Sequence, residues 1–146
     1  MGVTVLNQTG LPIRVSSIRA FVKVALEELE VGGSSLSVVL VEEETIRDYN
    51  KRFRGVDAPT DVMAFFGEGD YLGDIIICPF VVFENAQELS RDKEEEFYFV
   101  LAHGMLHLLG YTDKTQEERM EMFRLQDGLL ESVRAKLTLL PPLFRG

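Results

Sequence analysis

The run KEEEFYFVLAHGMLHLLG, residues 93–110, constrains the fold more than any other stretch. Its length and its acids in the first turn read as one long helix, strongly apolar after Glu96. A helix that is apolar around most of its circumference has to be covered on several sides, so it is expected at the centre of the molecule. Gly110 is placed to end it as a C-terminal cap. The same helix carries His103 and His107, the only two histidines in the chain.

The segments around it supply the cover. VTVLN, LSVVLV, DVMAFF and YLGDIIIC read as four strands, the last two joined across the GEGD turn as a hairpin. SSIRAFVKVALEELEVGG reads as an amphipathic helix with Ser16 or Ser17 as N-cap and Gly32 as its stop. EEETIRDYNKRF is a second helix, stopped by Gly55, and PFVVFENAQELS a third with Pro79 in its first turn. TQEERMEMFRLQDGLLESVRAKL is a last amphipathic helix with a capping box at Thr115 and Glu118. Its stripe of Met120, Phe123, Leu130, Val133 and Leu137 is expected to face the core, and PPLFRG reads as a tail. The sum is a single α/β (α+β) domain over residues 1–146. It has a small, four-stranded mixed sheet covered by about five helices.

Two histidines at i and i+4 lie one turn apart on one helix face, where a single cation can reach both. Such a pair is common as a hydrogen-bonded core pair. The continuation points to a metal: Gly110 follows His107 by three residues and Asp113 by six. A glycine there lets the chain turn back and bring position 113 over the histidine face, the spacing of the metzincin zinc sites. Asp113 then supplies a carboxylate as third ligand, and three protein ligands leave a position for water. In metalloproteases of that spacing a glutamate follows the first histidine as general base. Here the position is Gly104, so a peptidase reading lacks its base.

Composition narrows the rest. A net charge of −9 argues against a broadly basic nucleic-acid coat. The densest basic cluster is Arg47, Lys51, Arg52 and Arg54, which on charge alone is a solvated helix face. The single Cys78 excludes an internal disulfide and reads as a small buried hydrophobe. No segment approaches the roughly 20 apolar residues of a membrane helix. No secretory signal is visible, and the chain is expected in the cytoplasm.

Three segments together resemble the YbeY family of rRNA maturation endoribonucleases. HGMLHLLGYTD is similar to that family's H-G-x-L-H-L-x-G-Y-D-H signature, through His103, Gly104, Leu106, His107, Leu108, Gly110 and Tyr111. RFRGVDAPTDVMAFF resembles its R-G-x-x-x-P-T-[DN]-V-L-S-F-P segment, and LGDIIIC its L-G-D strand. The three keep the family's order and spacing and cover about half the chain. The chain departs at Asp113, where the family has His, at Thr112, where it has Asp, and at Ala64 and Phe66, for Ser and Pro. A one-residue insertion would align Asp113 with the family aspartate and Lys114 with the histidine. The gap-free alignment is preferred because a protonated lysine repels a metal.

The resemblance implies a zinc-dependent single-strand endoribonuclease acting in late 16S rRNA maturation and ribosome quality control. It implies one Zn2+ per chain on His103, His107 and Asp113, although a His2Asp set also accepts iron, manganese or nickel. It implies a catalytic role for Arg54, which would clamp the phosphate. Lys51 and Arg52 are secondary candidates for RNA contact. Asp61 either orients a ligand histidine from behind or caps a loop. The partners implied are rRNA of the small ribosomal subunit and ribosomal proteins. A metallopeptidase-like hydrolase and a ribosome-associated binding factor with a structural metal remain as alternatives.

Overall fold

A computed structural model describes residues 2–145. The order of elements is β1 (Val3–Asn7), α1 (Val15–Glu28), β2 (Ser35–Leu40), α2 (Glu43–Arg54), β3 (Val62–Phe66), β4 (Tyr71–Ile77), α3 (Pro79–Glu88), α4 (Lys93–Leu108) and α5 (Gln116–Leu137). The four strands form one mixed sheet in the order β1-β2-β4-β3. β1, β2 and β4 run parallel, and β3 closes one edge antiparallel to β4. The expected four strands, five helices and β3–β4 hairpin are all present.

Strand alternation divides the sheet into two apolar faces. Leu36, Val38, Leu40, Val62, Ile75 and Ile77 join the main core with α1, α4 and α5. Val41, Met63, Ile76 and Cys78 turn the other way and pack with Ile46 of α2. Cys78 is fully buried, as its apolar surroundings in the sequence suggest. Covering both faces suits the branched runs at Val38 and Val39 of β2 and at Ile75, Ile76 and Ile77 of β4.

α4 lies across the main face of β3 and β4. Gly104 makes this close approach possible, since a Cβ there would stand 2.9 Å from Ile75 Cγ2. Phe97, Tyr98, Leu101 and Leu106 of this helix are fully buried, so it is central as expected. It begins at Asp92, whose side chain accepts from the Glu95 N–H at 3.0 Å. It ends in a Schellman turn: the Gly110 N–H donates to the His107 carbonyl at 2.9 Å and the Tyr111 N–H to the Leu106 carbonyl at 3.1 Å. Gly110 has φ +98°, which a side chain would strain.

Four expectations need correction. α1 starts earlier than its serines: Arg14 is the N-cap, and Ser17 lies inside the helix with its hydroxyl donating to the Pro142 carbonyl at 2.5 Å. The helix stops at Leu29, before Gly32, because Glu30 takes the left-handed conformation with φ +62°. On α5, Leu130 and Val133 are buried, but Met120 is 66% and Phe123 51% exposed. The buried face of α5 runs through Met122, Gln126, Leu129, Leu130 and Val133, so Met120 lies off it and Phe123 sits at its margin, edge-on to Phe99. Of PPLFRG, Gly146 lies outside the described residues, and residues 141–145 are more than a tail. Leu143 is fully buried, and its N–H donates to Glu94 Oε1 at 2.7 Å. Residues Ile13 and Phe144 pair as an antiparallel bridge.

Candidate metal centre

The three proposed ligands converge. His103 Nε2 and His107 Nε2 stand 2.9 Å apart. Asp113 Oδ2 lies 3.3 Å from the first and 3.6 Å from the second. Ligands about 2.0–2.1 Å from a tetrahedral zinc stand about 3.3–3.4 Å from one another, so these three edges bracket the separation a single ion requires. Among the described residues this is the one cluster of three His, Cys, Asp or Glu side chains with that proximity. The donor set of two imidazoles and one carboxylate fits zinc and neighbouring divalent metals.

The local sequence explains the convergence. The i, i+4 spacing sets both imidazoles on one face of α4, and the turn at Gly110 folds the following residues back over it. That turn also brings the Tyr111 carbonyl to His107, whose Nδ1–H donates to it at 2.9 Å. A carbonyl can only accept, so the proton sits on Nδ1 and Nε2 presents a lone pair to the centre. The loop carrying Asp113 is pinned from α5. Glu118 accepts from Thr112 Oγ1 at 2.7 Å and from the Lys114 N–H at 2.9 Å. Its own N–H donates to the Thr115 hydroxyl at 3.0 Å, as a capping box should. Arg119 donates to the Asp113 carbonyl at 3.3 Å. Glu118 is therefore engaged in the loop, and these bonds hold its carboxyl below the usual range.

Burial, above all, holds the His107 imidazole below the ordinary histidine pKa. The neighbouring His103 and the charge of Arg54 push the same way, against the opposing pull of Asp113. The ring is thus neutral near pH 7, the state in which imidazole coordinates a metal.

The cluster opens into a cleft of about 470 Å³. Arg54, Asp61 and Gly104 line it together with both histidines and Asp113. Arg54 is the last residue of α2, exposed, with Gly55 in the left-handed conformation directly after it. Asn50 fixes that turn: its carbonyl accepts the Val56 N–H at 3.3 Å, and its side-chain amide donates to the Ala58 carbonyl at 2.9 Å. Lys51 and Arg52 do not line this cleft. Lys51 lies by the Arg47–Asp57 pair, and Arg52 pairs with Asp48 at 3.2 Å. Asp61 is at the wall, with Thr60 donating to it at 3.4 Å, while both Nδ1 atoms are held by other groups.

Sequence reasoning missed Gln126 and Glu96, two buried polar residues of the same cleft. Gln126 contacts His103 Nδ1 at 3.1 Å, and Glu96 pairs with Arg91 at 3.1 Å. Each is a polar residue interrupting an apolar helix face, which was the available signal.

Residues 7–134 match the family model described as Endoribonuclease YbeY. The chain belongs to the YbeY family. An Endoribonuclease YbeY of Thermotoga petrophila is 41% identical over 123 residues, which take in 81% of this chain and 82% of that relative. One from Cutibacterium acnes is 36% identical over 141 residues, 88% of this chain and 91% of the relative. A solution structure of TM1509 from Thermotoga maritima superimposes with a TM-score of 0.68 at 33% identity, covering 93% of this chain and 91% of that one. YbeY membership supports a nuclease role, that of a hydrolase acting on phosphodiester bonds. No helix among the described residues is long and apolar enough to cross a membrane.

Proposed function

We propose that the chain is a zinc-dependent single-strand endoribonuclease that acts in late 16S rRNA maturation and in ribosome quality control. Its partners would be the small ribosomal subunit and ribosomal proteins, in the cytoplasm. The observation that carries the nuclease chemistry is the convergence of His103, His107 and Asp113 on one point of a cleft that also holds Arg54.

A divalent ion held there supplies Lewis acidity toward a phosphoryl oxygen and lowers the pKa of a bound water. The chain's own groups do the rest. His103 and His107 would hold the ion through neutral nitrogens and Asp113 through a carboxylate oxygen. Arg54 binds the scissile phosphate through its planar fork and offsets the charge that grows in the transition state. Its place at a helix end, beside a glycine turn, lets it reach into the cleft without belonging to the core. Gly104 gives no base for peptide hydrolysis, and its contact with Ile75 leaves no space for one.

The test is direct. Protein stripped of metal and protein reloaded with zinc are assayed on single-stranded RNA, on duplex RNA and on casein. Zinc-dependent internal cuts confined to single strands are expected. Cleavage of casein, or RNA cleavage indifferent to metal, would overturn the reading.

A further inference from the structure

We propose that Gln126 is a positioning residue of the metal centre, which selects the His103 tautomer whose Nε2 is bare. The inference rests on the metal-site reading above, and it is carried by a chain of hydrogen bonds in which each donor is forced.

Gln126 is 4% exposed, midway along α5. Its Nε2 donates to the Phe99 carbonyl at 2.9 Å. A carbonyl can only accept, so the amide group is oriented without ambiguity and its Oε1 faces away from Phe99. That oxygen lies 3.1 Å from His103 Nδ1. An amide oxygen can only accept, so the imidazole proton belongs on Nδ1. His103 Nε2 is then a lone pair aimed at the centre.

His107 reaches the same state through the Tyr111 carbonyl. Two bare nitrogens therefore face each other at 2.9 Å, with the Asp113 carboxylate across from them. Three electron-rich atoms at such distances repel, and a cation between them removes the repulsion. A histidine without a partner at Nδ1 favours the opposite tautomer, with the proton on Nε2, where it blocks coordination. Gln126 removes that choice before any metal arrives. α5 consequently serves the centre twice: its first turn pins the Asp113 loop, and its middle sets the His103 ring.

The test uses intact protein with 15N-labelled histidine. Long-range proton–nitrogen correlations are recorded on the metal-free form above the imidazole titration range, and zinc affinity is measured by chelator competition. With two histidines in the chain, both rings are assignable. The parent should carry the proton on Nδ1 of both. In Gln126→Leu, His103 should shift toward the Nε2–H form while His107 stays, with zinc affinity lower by about 10–100-fold. The unmoved His107 signal reports that the fold survives. Should the leucine variant misfold, Gln126→Asn, which falls one methylene short of His103, is expected to give the same result. Gln126→Glu keeps an acceptor on Nδ1–H and should retain both the tautomer and the affinity.

A His103 signal unchanged in the leucine variant would overturn the assignment. So would a shifted tautomer with undiminished zinc affinity, or a glutamate variant as weak as the leucine one. The tautomer is read without metal or RNA, so a failure to cut RNA would count against the proposed function and leave this inference standing.

Discussion

Gly104 of α4 lies against Ile75 of β4 so closely that a Cβ would come within 2.9 Å of Ile75 Cγ2. The contacted methyl is on a branched side chain fixed in the core, and it has no flexible end to swing away. Alanine in a helix interior ordinarily gains about 1 kcal/mol over glycine. Here the overpacking of about 1–3 kcal/mol opposes that gain. Gly104→Ala is expected to lower the melting temperature, and Gly104→Glu to lower it further without conferring peptidase activity. A higher melting temperature for the alanine variant would show that α4 can shift freely on the sheet.

The third ligand is tested by substitution at two adjacent positions. Asp113→Ala should weaken zinc binding strongly, and Asp113→His should retain it. Lys114→Ala should change little, because the Lys114 backbone N–H makes the contact with Glu118 and its side chain is not needed. Chelator competition on the three variants decides the assignment. Tight binding by Asp113→Ala would remove Asp113 from the centre.

The basic residues of α2 should separate by position. Arg54 lines the cleft, while Arg52 is paired with Asp48 and Lys51 sits by the Arg47–Asp57 pair. Arg54→Ala is expected to abolish most RNA cleavage with zinc content and melting temperature kept. Arg54→Lys should recover part of it, since lysine lacks the planar fork. Lys51→Ala and Arg52→Ala should have small effects, and the salt dependence of RNA binding should be shallow, roughly one or two units of slope. A cleavage loss for Arg52→Ala equal to that for Arg54→Ala would point to a wider RNA surface.

Groups kept protonated by burial are expected to weaken the fold at alkaline pH. Desolvation raises the pKa of the Cys78 thiol, and it raises that of the Tyr98 phenol far more. Above about pH 9 the unfolded chain releases the thiol proton while the folded chain keeps it. Stability must then fall as pH rises, at up to about 1.4 kcal/mol per pH unit for each such group. Tyr98 joins from about pH 10 upward. Denaturant titrations across this range should show the decline, and Cys78→Ala should remove its first part. A flat profile between pH 9 and 10 in the parent would mean that the thiol ionises in place.

What the sequence made legible was what depends on neighbours along the chain. The helix of His103 and His107, its stop at Gly110 and the return of Asp113 are all local consequences of spacing, and the geometry agrees. The capping box of Thr115 and Glu118 is local in the same sense. Gln126 escaped because its partner His103 is 23 residues away and nothing between them marks the pairing. The exposed Met120 and Phe123 misled because apolar spacing on α5 allows more than one face, and packing settles it on Met122, Gln126 and Leu129. Ser16 and Ser17 are good caps by type, yet the Arg14 N–H is tied to the Leu143 carbonyl at 2.7 Å, and the helix begins there.

Residues 141–145 clasp elements far apart in the chain. Tyr98 of α4 donates to the Pro141 carbonyl at 2.7 Å, Ser17 of α1 reaches Pro142, and Glu94 receives the Leu143 N–H. The helix that bears the histidines is therefore held by a segment that follows α5 in the chain, and so follows all five helices described above. A nascent chain can form α4 early, but its bonds to Pro141 and Leu143 form only once those residues are available. The contacts that hold the histidine helix in place thus close only after the helix itself has formed.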